Sequence, residues 1–151
     1  MPLTSEDPFT GTWHCNLAKS KFSTPAPQSW TQYITASATD LSVREEISRA
    51  GRAPATVSVS AKFDGKDYPV HGSPAAEVIA YTRTVFEIVG TASRQGSVCL
   101  RETLTLSADH KTLAMSYAVF SGEKELLSGQ AIFERAELVE TQRETSGPRK
   151  E

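Results

Sequence analysis

Two glutamates interrupt apolar rows. Glu45 stands in the alternating set Leu41, Val43, Glu45, Ile47, and Glu102 in the set Val98, Leu100, Glu102, Leu104, Leu106. Residues two apart on an extended strand share a face, so each acid is expected among aliphatic side chains. A carboxylate there is costly unless it is paired, hydrogen-bonded or protonated. Desolvation raises its pKa, which is what a general acid or base needs near neutral pH. Two plainer readings compete: a one-residue slip of register turns either acid to solvent, or Arg83 neutralises it as an ion-pair partner.

The same alternation nominates neighbours for these acids. Trp30, Gln32 and Ile34 form one row, Val57, Val59, Ala61 and Phe63 a second, and Ile79, Tyr81 and Arg83 a third. Phe86 with Ile88, the row Leu113, Met115, Tyr117, Val119, and the row Leu127, Gly129, Ala131, Phe133 complete the set. Gln32 and Arg83 are candidates to orient a ligand. Trp30, Tyr81, Met115, Tyr117 and Phe133 are candidate walls, the tyrosines also being candidate proton donors. His71, in the loop His71-Gly72-Ser73-Pro74, is a candidate contact at a mouth or a solvated surface residue.

Other chemistries lack their residues. Cys15 and Cys99 are the only thiols, without the close spacing of a zinc ligand pair. Cys99 has no histidine placed beside it by spacing and reads as a small filler, and reduced thiols suit a cytosolic chain. No phosphate-binding glycine loop or nucleophile elbow is present. Metal, cofactor and nucleophile chemistry are therefore not expected.

The elements that position these rows read as strands. Period-two alternation and turn signals recur along nearly the whole chain. Strands are expected near residues 11–17, 29–37, 41–49, 55–63, 67–70, 77–83, 86–93, 97–107, 112–119 and 126–135, with a proline-bearing loop over 18–27. Asp64-Gly65 is a tight-turn signal. One helix is the best candidate, over Glu134–Arg143. Strands joined by short turns imply an antiparallel meander, and closing it removes two exposed edges. The expected architecture is an all-β, antiparallel up-and-down barrel of about eight to ten strands, wide enough to hold a cavity.

At 151 residues with 38% hydrophobic and 23% charged residues, the chain has the size and composition of one folded domain. That domain is expected over residues 9–136, between a flexible N-terminus, 1–8, and a flexible tail, 137–151. A net charge of −2 argues against nucleic acid as partner. No apolar run approaches the length of about 20 residues that a membrane helix needs. The first residues show no basic and apolar leader, so a cytoplasmic location is expected. Oligomeric state is not legible.

Gly11-Thr12-Trp13, followed by a meander and the late Arg135, resembles the lipocalin and fatty-acid-binding barrels, the calycin group. The resemblance implies that Trp13 packs under Arg135 and that the pair closes one end. The stretches 16–22 (Asn-Leu-Ala-Lys-Ser-Lys-Phe) and 61–70 (Ala-Lys-Phe-Asp-Gly-Lys-Asp-Tyr-Pro-Val), with Gly72-Ser73-Pro74, are similar to a group of small bacterial lipocalin-like proteins without established activities. That similarity covers about residues 8–136 and implies a fold rather than a function. Glu45 and Gln32 stand where that group tends to carry aliphatic residues, and His71 where it tends to carry a small hydroxyl. These departures imply a cavity adapted to a particular ligand.

Three functions are compatible with these readings. The first is binding of a small hydrophobic molecule inside the barrel. The second is a cofactor-free isomerase or cyclase of a natural-product intermediate, with Glu45 or Glu102 moving a proton; calycin-type barrels host cyclases such as allene oxide cyclase. The third is an interaction module with a filled core.

Overall fold

The structure, a computed structural model, describes residues 7–22, 25–73 and 75–136. The expected alternation produces eleven strands: β1 (Gly11–Cys15), β2 (Lys21–Phe22), β3 (Ser29–Ala36), β4 (Asp40–Ser48), β5 (Ala55–Lys62), β6 (Asp67–Pro69), β7 (Val78–Arg83), β8 (Glu87–Arg94), β9 (Ser97–Leu106), β10 (Thr112–Ser121) and β11 (Lys124–Arg135). Ten of them run in the order β5-β4-β3-β1-β11-β10-β9-β8-β7-β6, with β2 attached to β11. Every pairing is antiparallel. Between the outermost strands, Ser58 and His71 exchange two backbone hydrogen bonds, each 2.9 Å. The result is a nearly closed up-and-down barrel, which leaves little unpaired edge.

Three local readings of the sequence need correction. Among the described residues, the end of the strand expected over 11–17 and the loop expected over 18–27 form a 3-10 turn, Leu17–Lys19, and the short β2. Asn16 caps that turn by accepting from the Lys19 amide at 3.2 Å, an ordinary use of an asparagine side chain. The helix expected from Glu134 does not begin there: Glu134 and Arg135 continue β11, opposite His14 and Trp13, and residues 137–143 lie outside the described ones. Phe86 is not an inward residue of β8. It precedes the strand and is 47% exposed.

One end of the barrel is sealed. Phe9 and Trp13 are wholly buried there, and the Trp13 indole N–H donates to the Phe9 carbonyl at 3.0 Å. The Arg135 guanidinium lies 4.2 Å from the Trp13 ring and donates to the carbonyls of Thr10, Pro8 and His110 at 2.7, 2.5 and 2.9 Å. This is the first-strand, last-strand contact anticipated from Trp13 and Arg135. Arg83 adds a second clasp. It pairs with Asp7 at 2.7 Å and donates to the Ser37 carbonyl at 2.9 Å, with its guanidinium 5.1 Å from the Phe9 ring and 5.3 Å from the Phe63 ring. Asp7 and Pro8 are thus tied to the barrel, although the flexible N-terminus was expected to include them; residues 1–6 lie outside the described ones.

Candidate functional site

The opposite end contains a cavity of about 510 Å³. Its walls come from strand ends on both sides of the barrel. They include Ile47, Val57, Val59, Ile79, Leu100 and Val119, with Phe22, Pro25 and Pro27 from the segment around β2. The volume is within the range of about 300–1,000 Å³ usual for small-molecule pockets.

Strand register explains how the polar floor is assembled. Tyr81 on β7 is opposite Gly90 on β8, Gly90 is opposite Glu102 on β9, and Glu102 is opposite Tyr117 on β10. Tyr117 is opposite Gly129 on β11, and Gly129 is opposite Phe22 on β2. Two glycines in this row, Gly90 and Gly129, leave room for the large side chains beside them. A Cβ at Gly129 would come within 2.7 Å of Tyr117 Cζ, a distance that only the hydrogen of glycine permits. A second row runs from Trp13 on β1 through Gln32 on β3 and Glu45 on β4 to Val57 on β5. The curvature of the barrel brings the acids of the two rows to the same hollow, and both line it.

The two carboxyls have different surroundings. Glu45 Oε1 accepts from the Trp30 indole N–H at 2.7 Å and from Gln32 Nε2 at 3.2 Å. Burial raises the Glu45 pKa, and these two donors partly offset it. Glu102 has no hydrogen-bond partner among the described residues. Burial, and secondarily the charge of Glu45, push it up to about 8, so at neutral pH it is mostly the neutral acid. Tyr81 is 4% exposed and its hydroxyl is likewise unpartnered among the described residues. Burial, then Glu102 and Glu45, hold its pKa well above the ordinary phenol value, which keeps it a neutral donor. The floor therefore combines a carboxylate steadied by two N–H groups, a carboxylic acid and a phenol.

Six of the residues nominated from sequence line this cavity: Glu45, Glu102, Trp30, Tyr81, Met115 and Tyr117. Four do not. Gln32 is 2% exposed and lies behind Glu45, to which it gives its amide N–H. Phe133 is wholly buried and supports Trp30 edge-on, with ring centroids 5.1 Å apart. Arg83 is at the sealed end, engaged by Asp7. It is therefore no ion-pair partner for the glutamates. His71 contributes its backbone to barrel closure and is exposed.

Contributors from two places in the chain were missed. Arg49 lines the cavity beyond Ile47, and one further step of the Glu45, Ile47 alternation reaches it. Phe22 and the prolines enter because β2 folds the proline-bearing segment back onto β11, which no period in the sequence announces. Among the described residues no group of three or more His, Cys, Asp or Glu is arranged to hold a metal ion, and Cys15 and Cys99 are free thiols. Compared with family models, with curated proteins and with solved structures, the chain matches none.

Proposed function

We propose that this protein is a lipocalin-like binder of a small, largely apolar molecule, held in the cavity above Glu45 and Glu102. The observation that carries this reading is the cavity itself: about 510 Å³ of mostly aliphatic and aromatic lining with a few polar groups gathered at its floor. Burial of apolar ligand surface supplies about 25 cal/mol per Å² before the costs of association, and polar groups at one place fix orientation. The seal formed by Arg135 over Trp13 at the other end supports the calycin-like reading, since such a barrel opens at one end only.

Nile red, a neutral dye that brightens in apolar surroundings, tests the reading. One dye per chain is expected, with quenching of Trp30 emission. Leu100→Trp, which fills the hollow, is expected to abolish binding without unfolding the barrel. Undiminished dye binding by a folded Leu100→Trp protein rejects the cavity as the site.

A second reading has its own support, the unlike surroundings of the two acids. Environments that drive paired carboxyls apart assign a base and an acid. In a cofactor-free isomerisation or cyclisation, Glu45 takes a proton from a carbon next to a carbonyl. The electrons move onto the carbonyl oxygen, where the Tyr81 hydroxyl donates a hydrogen bond. Glu102 then returns a proton to the carbon that ends the rearrangement as the electrons leave the carbonyl oxygen, and the proton held by Glu45 passes to Glu102 to restore both groups. Glu45→Gln and Glu102→Gln are each expected to lower turnover of a β,γ-unsaturated ketone by at least about a hundredfold. Unchanged turnover in either variant rules this chemistry out.

A further inference from the structure

We infer that the ligand carries a protonated amine at one end of an apolar body, and that this end enters first and sits between Glu45 and Glu102. The inference rests on the cavity being a ligand site and specifies which ligand it takes.

The hydrogen-bonding inventory of the floor is lopsided. Glu45 uses one oxygen for Trp30 and Gln32, and its other oxygen accepts nothing among the described residues. Neither oxygen of Glu102 has a partner there. Tyr81, nearly all buried, directs an unpartnered hydroxyl into the same hollow. With a cation beside Glu102 keeping it ionised, the carboxylate oxygens left open at the floor outnumber its donor, the Tyr81 hydroxyl. These oxygens border the hollow, and an ammonium brings up to three N–H donors to them.

Charge points the same way. Glu45 and Glu102 are the acidic residues of the lining, and its one basic residue among those described is Arg49. Arg49 follows Ile47 past the end of β4, on the side away from the sealed end, so it does not neutralise the floor. The charge of Glu45, joined by that of Glu102 once a neighbouring cation favours its ionised form, repels a carboxylate or phosphate end. A cation is attracted, and the aromatic residues Trp30, Tyr81 and Tyr117 are part of the same lining.

Displacement of Nile red at neutral pH by decylamine, decanol and decanoate separates the cases, because the three share an apolar chain and differ at one end. Decylamine is expected to displace the dye at a concentration at least about tenfold below decanol, with decanoate weakest. Glu102→Gln is expected to remove most of the amine's advantage while leaving decanol unchanged. If that variant does not fold, Glu45→Gln gives the same readout. Decanol or decanoate matching decylamine overturns the amine assignment and leaves the binding function intact, as does an amine advantage that survives both substitutions. Absence of Nile red binding to the unaltered protein overturns the binding function itself.

Discussion

Tyr81 and Glu102 face the cavity from strands that are not neighbours, separated by Gly90. A Cβ on Gly90 would come within 2.8 Å of Tyr81 Cε1 and 3.2 Å of Glu102 Cγ. The glycine is the space that lets a phenol and a carboxyl share one floor. Gly90→Ala is therefore expected to displace the Tyr81 ring, costing about 1–3 kcal/mol from overpacking, and to weaken Nile red binding at least about tenfold. A melt and a dye titration on the same sample check both. Normal affinity in the variant would mean that the Tyr81–Glu102 spacing is irrelevant to the site.

Stability is expected to fall as pH rises from about 4.5 toward 8. Glu102 has its folded pKa raised from 4.5 to about 8, so between these values the folded chain holds a proton that the unfolded chain has released. The contribution is complete below the unfolded pKa and is lost as pH climbs through the folded one, with a slope of up to about 1.4 kcal/mol per pH unit. Glu45, also raised, acts in the same direction. The titratable groups facing Glu102 are Glu45, Tyr81 and, opposite it on β10, Tyr117, and both phenols, their pKa values raised by burial, stay neutral throughout. Denaturant titrations at pH 5 and pH 8 are expected to show the wild-type protein weaker at pH 8 and Glu102→Gln much less sensitive to pH. Equal slopes in the two proteins would refute the buried-acid assignment.

Arg135→Ala is expected to destabilise the barrel by about 2–4 kcal/mol. It removes the cation from above Trp13 and the donors to Thr10, Pro8 and His110. Chemical denaturation measures this. A loss below about 0.5 kcal/mol would show that the sealed end owes little to the clasp.

Arg83→Ala distinguishes structural from ligand-binding arginine. The Arg83 and Asp7 side chains are only 12% and 13% exposed, so deleting one strands a largely buried charge and is expected to cost about 3–5 kcal/mol. Dye affinity of the folded fraction is expected to be unchanged. A selective loss of binding would return Arg83 to the ligand site.

Alternation read the face of the strands well, Phe86 and Val98 apart, and the height along the barrel not at all. Glu45, Glu102, Tyr81, Met115 and Tyr117 were legible because a polar, aromatic or sulfur side chain in an inward row has few other places to be. Gln32, Arg83 and Phe133 obey the same period yet stand behind or beyond the hollow, since a two-residue repeat fixes the side of the sheet but not the depth. His71 was singled out for its side chain and acts through its amide and carbonyl, which any residue supplies. Val98 illustrates a third limit. The pairing shifts between Ala92 and Ser93, and Val98 borders an outer groove with Arg101 and Phe120 instead of continuing the Leu100, Glu102 row. A bulge changes the face assignment locally and leaves no mark in the hydrophobic pattern.

A crystal structure of the protein grown with decylamine tests the central claim most directly. The expected result is ligand density filling the hollow, with its nitrogen within hydrogen-bond distance of both Glu45 and Glu102 and its chain running past Leu100 and Val119 toward Arg49. A hollow occupied by the protein's own side chains, or the two glutamates turned out to bulk water, would contradict it.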